Sequence, residues 1–266
     1  MMRAALTVIG LAGFLFGCAT TGSGGMSSSE RVEQAVLRQT PATDAQRQAK
    51  LHVELGMLYF NAGRMEVALE EARIAAAADP GYAPAYNLMG LVYMALRQNE
   101  RAEESFRRAL GLARRDPEIN NDYGWFLCRT GRARESIVHF QLAYEHPLHQ
   151  APLRALTNAG VCSIVAKDDR QAEEYLLRAL RLDRHNTAAQ YWLADIAYRS
   201  GRLQDARMRI EAIHAFEEPS AASAWLGLRI ERKLGNREGE ARYMGMLRSK
   251  HRDSDEYMKM SRGEYE

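Results

Sequence analysis

The stretch "LGMLYFNAGRMEVALEEARIAAAADPGYAPAYNLMGLVYMAL", residues 55–96, decides the fold. Gly56 and Gly90 within it are 34 residues apart, and Gly124 follows after another 34. Gly160 comes 36 further on and Ala194 34 after that, so one column of the chain stays small throughout. Twelve residues beyond each stand Ala68, Ala102, Ser136, Ala172 and Ala206. Seven beyond those stand Ala75, Ala109, Ala143, Ala179 and Ile213, only the last of them large. Tyr59, Tyr93 and Leu127 supply bulk at a further column, which Ser163 and Ala197 interrupt later. Fixed-period self-similarity of this length marks a repeat architecture.

Two antiparallel helices per unit explain the columns. Small residues allow a helix A and a helix B to approach closely, and larger apolar residues at i, i+3, i+4 spacing fill what remains. "NAGR", "RTGR" and "RSGR" recur between the helices, where glycine takes a left-handed cap. The seven prolines fall before the first unit, at junctions or at helix starts, where a missing N–H does no harm. This is the tetratricopeptide-repeat pattern, and it predicts an all-α solenoid of about six helix pairs coiled as a right-handed superhelix. Units are placed at 49–82, 83–116, 117–150, 153–186 and 187–220, with Ala151 and Pro152 extra at one junction. A sixth, 221–254, keeps Gly235 but puts Glu240 at the small twentieth position, and reads as a degenerate polar cap. Residues 30–48 are expected as a lead-in helix and 255–266 as a loose tail.

Working outward to the N-terminus, a short basic start and an apolar run from Ala4 to Phe16 end in Leu15-Phe16-Gly17-Cys18. The run is too short to span a membrane. It resembles a lipoprotein signal, residues 1–17, with Cys18 the acylated first residue of the mature chain; Phe16 departs from the usual small residue. Ala19 stands where an Asp commonly retains lipoproteins at the inner membrane, so the resemblance implies the periplasmic face of the outer membrane. Residues 18–29, rich in Gly and Ser, read as a tether.

The 36 basic and 34 acidic side chains leave a formal charge of +2, and no clustered basic field suggests nucleic acid. HExxH, a Walker-type loop and paired CxxC are missing, so no enzyme, cofactor or small-molecule substrate is expected. His139, His146 and His149 gather near one junction without a recognisable ligand spacing, and read as helix-end residues rather than a metal site. Cys128 and Cys162 sit on adjacent A helices, but two residues apart in phase. A helix turns about 200° over two residues, which argues against a disulfide.

In the tetratricopeptide family, positions 2, 5, 9 and 12 of each unit face the concave groove. That resemblance assigns to the groove Val53, Met57 and Phe60; Asn87, Leu91 and Met94; Asn121, Trp125 and Cys128; and Thr157, Val161 and Ile164. The apolar members would form a trough for a partner segment, with Trp125 as anchor and the asparagines holding its main chain. Such an aromatic and methionine stripe can equally be ordinary core.

Residues 55–96, followed by "NDYGWFLCRTGR" at 121–132, together with the lipobox, resemble the PilF/PilW family of type IV pilus biogenesis lipoproteins, or pilotins. The resemblance implies a non-enzymatic chaperone. It binds the pilus secretin in the periplasm and promotes its outer-membrane localisation and oligomerisation. The same fold would also serve a lipoprotein scaffold for peptidoglycan hydrolases or barrel assembly.

Overall fold

The computed structural model describes residues 43–146 and 152–265. Cys18, the signal and tether assignments, residues 30–42 and His149 lie outside them. The chain divides after Ala42, and all described residues belong to the unit Thr43–Glu266.

Thirteen α-helices and no strand occur among the described residues. They are α1 (Asp44–Asn61), α2 (Met65–Ala78), α3 (Ala83–Ala95), α4 (Asn99–Leu112), α5 (Pro117–Arg129), α6 (Ala133–Tyr144) and α7 (Pro152–Val165). Then come α8 (Asp169–Leu182), α9 (Thr187–Arg199), α10 (Leu203–His214), α11 (Ala221–Leu234), α12 (Arg237–Lys250) and α13 (Asp255–Arg262). Odd-numbered α1 to α11 are the A helices of six units and even-numbered α2 to α12 their B helices. Each A helix packs closely on the A helix of the next unit, while the backbones of successive B helices lie farther apart and meet through long side chains, as Arg178 and Tyr144 do at 3.2 Å. The A helices therefore crowd the inner face and the B helices fan out on the other, which is the curvature of a solenoid. No described helix is long and apolar enough to cross a membrane.

The small columns serve close approach. A Cβ built on Gly90 would lie 2.7 Å from Phe106, and one on Gly124 2.9 Å from Phe140. Ala68, Ala102, Ser136, Ala172 and Ala206 are all fully buried beneath them. Glycine takes the left-handed turn position at Gly63, Gly131 and Gly201. Arg97 and Lys167 adopt the same conformation with φ of 57° and 62°. The turn geometry is thus imposed by the helix pair even where no glycine eases it. Ion pairs repeat between units: Arg132 to Glu103 at 2.7 Å and Arg202 to Glu173 at 2.9 Å join the start of one B helix to the preceding one.

Three boundaries differ from the expectation. The first A helix begins at Asp44 rather than 49, because Thr43 and Gln46 form a reciprocal capping box. The sixth unit is not degenerate. Its close-approach glycine is Gly227, on which a Cβ would lie 2.6 Å from Tyr243, and the small residue twelve later is the buried Gly239. The register had slipped by one residue because the fifth unit is one residue shorter. The tail is not loose. Ser254 caps α13 through the Tyr257 N–H, Met260 is buried, and Gly263 closes the helix in the left-handed conformation.

Candidate peptide-binding groove

The expected groove residues lie on the A helices, and most of them are half-buried. Val53, Met57 and Phe60 on α1 are half-buried against Ala68, Leu88 and their neighbours. Leu91 and Met94 on α3 lie half-buried against Phe106 and Phe126, and Trp125 on α5 packs partly on the cluster containing Phe140 and Leu156. Val161, Thr157 and Ile164 on α7 are likewise half-buried. Half-burial is the property a receptive trough needs: one side of each chain is fixed by the core while the other meets solvent. Met94 and Trp125 share a hollow of about 470 Å³ with Arg97, Asn99, Arg129 and Thr130. Arg129 stands 6.0 Å from the Trp125 ring, within cation–π range.

Cys128 leaves this set. It is 5% exposed and forms a disulfide with Cys162, with Cα atoms 5.8 Å apart. The two-residue phase offset favours the bond instead of opposing it. Helices lying side by side present opposite flanks to one another. A residue on the right flank of α5 and one on the left flank of α7 must therefore differ by about half a turn, as a two-residue offset provides. The bond fastens units three and four directly beneath the Trp125 face.

Asn121 also leaves the ligand face, being 1% exposed. Its Nδ2 donates to Asp122 Oδ1 at 3.1 Å, and its Oδ1 accepts from Asn158 at 3.0 Å. Asn87 donates to Asp122 Oδ2 at 2.8 Å, so its NH2 too is committed within the fold. The Asn87 Oδ1 is buried with no hydrogen-bond partner among the described residues. Arg154 reaches Asp122 at 3.1 Å and also pairs with Glu118. Burial pushes the Asp122 carboxyl upward, while Arg154, then Asn87 and Asn121, oppose that shift. The asparagines thus stitch three successive A helices together rather than waiting for a ligand's main chain. Asp122, Asn158 and Arg154 escaped the sequence reading. Their signal was a polar residue at the same helix level in adjacent units, which becomes visible only when the units are stacked.

His139 sits inside the helix pair, its Nδ1 3.0 Å from Asn120 Oδ1 and its ring edge-on to Tyr123 at 4.8 Å. It is thus a packing residue of α6 rather than a helix-end cap. No cluster of three His, Cys, Asp or Glu residues suited to a metal occurs among the described residues.

Comparisons with known proteins agree with this architecture. Two family models, both described as tetratricopeptide repeat, match residues 83–116, and 27–83 with 169–212. The type IV pilus assembly protein PilF of Pseudomonas aeruginosa is 29% identical over 256 residues, covering 96% of each chain. A solved structure from the functional characterisation of P. aeruginosa PilF is 26% identical; the match covers 83% of this chain and all of that one, with a TM-score of 0.75. The crystal structure of PilW, described as a widely conserved type IV pilus biogenesis factor, superposes with a TM-score of 0.75. That match is 31% identical and covers 80% of this chain and 98% of PilW. With this likeness running through the repeats and the whole of PilW, the chain belongs to the PilF/PilW family of tetratricopeptide-repeat proteins.

Proposed function

We propose that this protein acts in type IV pilus biogenesis as a pilotin: an outer-membrane lipoprotein that binds the pilus secretin and promotes its localisation and oligomerisation. The observation that carries the reading is the row of half-buried apolar side chains on the inner helices of units one to three, Met57, Phe60, Leu91, Met94 and Trp125, in a member of this family. Apolar chains held on one side by the core are ready to bury their other side against a partner segment without much ordering cost. Cys18, with lipid attached, supplies the membrane address, and residues 18–29 supply reach. Tethering raises the local concentration of a carried partner at the membrane without any further contact. The protein works by binding, with no catalytic step.

The test is a deletion strain complemented with wild type, Cys18→Ala or Trp125→Ala, read by secretin multimers and their membrane fraction. Loss of multimers on deletion, mislocated or poorly assembled secretin with Cys18→Ala, and weakened binding with Trp125→Ala are expected. Removing such an anchor commonly costs about 2 kcal/mol or more of affinity. Normal multimers in every strain would overturn the reading.

A further inference from the structure

Helix α1 carries an apolar face that the described fold leaves open. Leu51, Leu55 and Leu58 are 65%, 38% and 67% exposed. Spaced by four and three residues, they lie within about 60° of one another around the helix. Their places in the repeat are five and one before the small-column glycine, here Gly56, and two after it. The same places in the third unit hold Ile119, Tyr123 and Phe126, which are 1%, 5% and 1% exposed. Phe106, from the B helix of the unit before, covers the last two, with ring centroids 5.9 and 5.5 Å away. The fifth unit buries Ala189, Leu193 and Ile196 there, and the second and fourth units bury five of their six. The face by which each unit joins the one before it is thus built of leucine on α1 and open to solvent.

The two ends of the described array differ. At the far end α13 lies against α11 and α12 and buries Met260. End units of a solenoid ordinarily turn a polar face to water, and a cluster of exposed large apolar side chains marks a surface that meets something. The chain around α1 indicates what that is. Cys18, read as the lipid-bearing residue, and Thr43 are 25 residues apart, a span of no more than about 80–90 Å at full extension. The open face therefore belongs to the unit joined to the membrane tether. Its rim is charge-balanced: Arg47 pairs with Asp44, and Lys50 with Glu54 at 3.7 Å. A second copy docked antiparallel through the same leucines would set Glu54 beside Glu54 of the copy, near the twofold axis. Against a lipid surface, Lys50 and Glu54 stay at the edge in water while the leucines enter.

We propose that Leu51, Leu55 and Leu58 seat α1 on the phospholipid surface that holds the Cys18 lipid. The proposal rests on the lipoprotein reading and does not depend on the secretin assignment. Val53, Met57 and Phe60 lie about half a turn away on the same helix, so a seated α1 points its groove residues away from the membrane. The contact thereby fixes which way the groove opens, which a tether alone does not. Three leucines make a weak contact by themselves. The tether holds them at high effective concentration beside the surface, so a weak contact is occupied. With its rim charges already paired, the contact is apolar and owes little to salt or to anionic lipid.

The test uses the full chain purified from membranes and reconstituted on vesicles of phosphatidylethanolamine and phosphatidylglycerol. Mass spectrometry of Cys18 checks the lipoprotein reading separately. Ala62→Cys places a thiol one turn beyond Leu58 on the same face, and Met208→Cys places one on the exposed surface of α10. Cys128 and Cys162 are bonded to each other, so with Cys18 acylated only the new thiol takes a nitrobenzoxadiazole label. Doxyl groups on the lipid acyl chains should dim the label at Ala62→Cys about twofold or more and leave that at Met208→Cys unchanged. Combining Leu51→Ser, Leu55→Ser and Leu58→Ser should abolish the dimming while the protein stays on the vesicles. Its thermal melt should not move, because all three side chains are exposed. Raising salt from about 0.1 M to about 0.5 M, or omitting phosphatidylglycerol, should leave the dimming in place. An unacylated Cys18 would reject the lipoprotein reading and the proposal with it. An acylated Cys18 with no dimming at Ala62→Cys, or with equal dimming in the triple-serine variant, would overturn the proposal alone. A blue-shifted label without dimming would mean that protein covers the face, a second copy or residues 30–42, and would overturn it too. Dimming lost in high salt would reject an apolar contact.

Discussion

Removing the Cys128–Cys162 bond isolates the contribution of the one covalent tie between units among the described residues. The perturbation is the double substitution Cys128→Ala with Cys162→Ala, which leaves no buried thiol or hydroxyl behind. The two cysteines are 34 residues apart in sequence. In the chain-entropy treatment, a loop of that length restricts the unfolded state by about 3.8 kcal/mol at 25 °C. Each kcal/mol shifts the melting temperature of a chain this size by about 2–4 °C, so the double variant should melt about 8–15 °C lower. A solenoid is stabilised by contacts between neighbouring units, so the loss should concentrate where units three and four meet. The assay is thermal and urea unfolding with and without reductant, joined to hydrogen exchange over α5 and α7. Reductant should lower the wild-type midpoint toward that of the double variant and leave the variant unmoved. Amides of α5 and α7 should lose protection while α1 and α2 keep theirs. Coincident melts of wild type and variant, in the absence of reductant, would refute the reasoning.

Four further outcomes follow from single sites. Lys167→Gly should raise stability by about 0.5–1 kcal/mol in urea unfolding, because φ of 62° at that position suits glycine and strains lysine. Gly124→Val should lower it by about 1–3 kcal/mol, because a Cβ there meets Phe140 at 2.9 Å and further methyls only add to the overlap. Asp122→Asn should lose about 1–3 kcal/mol, because its NH2 would replace one of two oxygens that accept from Asn87 and from Asn121 and Arg154, and Asp122→Ala, which strands all of these donors, should lose at least as much. Burial, with Arg242 nearby, lowers the His214 pKa from 6.5 to about 4. The neutral ring is favoured in the fold, so its stabilising share is complete above about pH 6.5 and fades as pH falls toward 4. Discounted for partial solvent access, the loss is on the order of 2 kcal/mol, and a His214→Gln variant should show a flatter urea midpoint between those pH values.

Much of the fold was legible before any coordinates. The 34-residue columns depend on close approach within a helix pair. Both partners of that approach, Gly90 with Phe106 or Gly124 with Phe140, lie in the same unit, 16 residues apart. Local constraints of this kind leave a periodic trace. The sixth unit was misjudged for the same reason, since a template of fixed length cannot absorb one missing residue. Helix α13 went unread although Ser254, Met260 and Gly263 carried ordinary cap and packing signals. It breaks the repeat, and the repeat had set the expectation.

The sequence by itself therefore determined the helix pairs, their number and the apolar character of the first three inner faces. Only the stacking of one unit on the next decided the rest. It paired Cys128 with Cys162 and turned Asn121 inward to meet Asp122 and Asn158. The physical reason is that each of these contacts joins residues on different units. Their meeting depends on the rotation between neighbouring units, and periodicity records what a single helix pair requires, not the angle at which the next one is set.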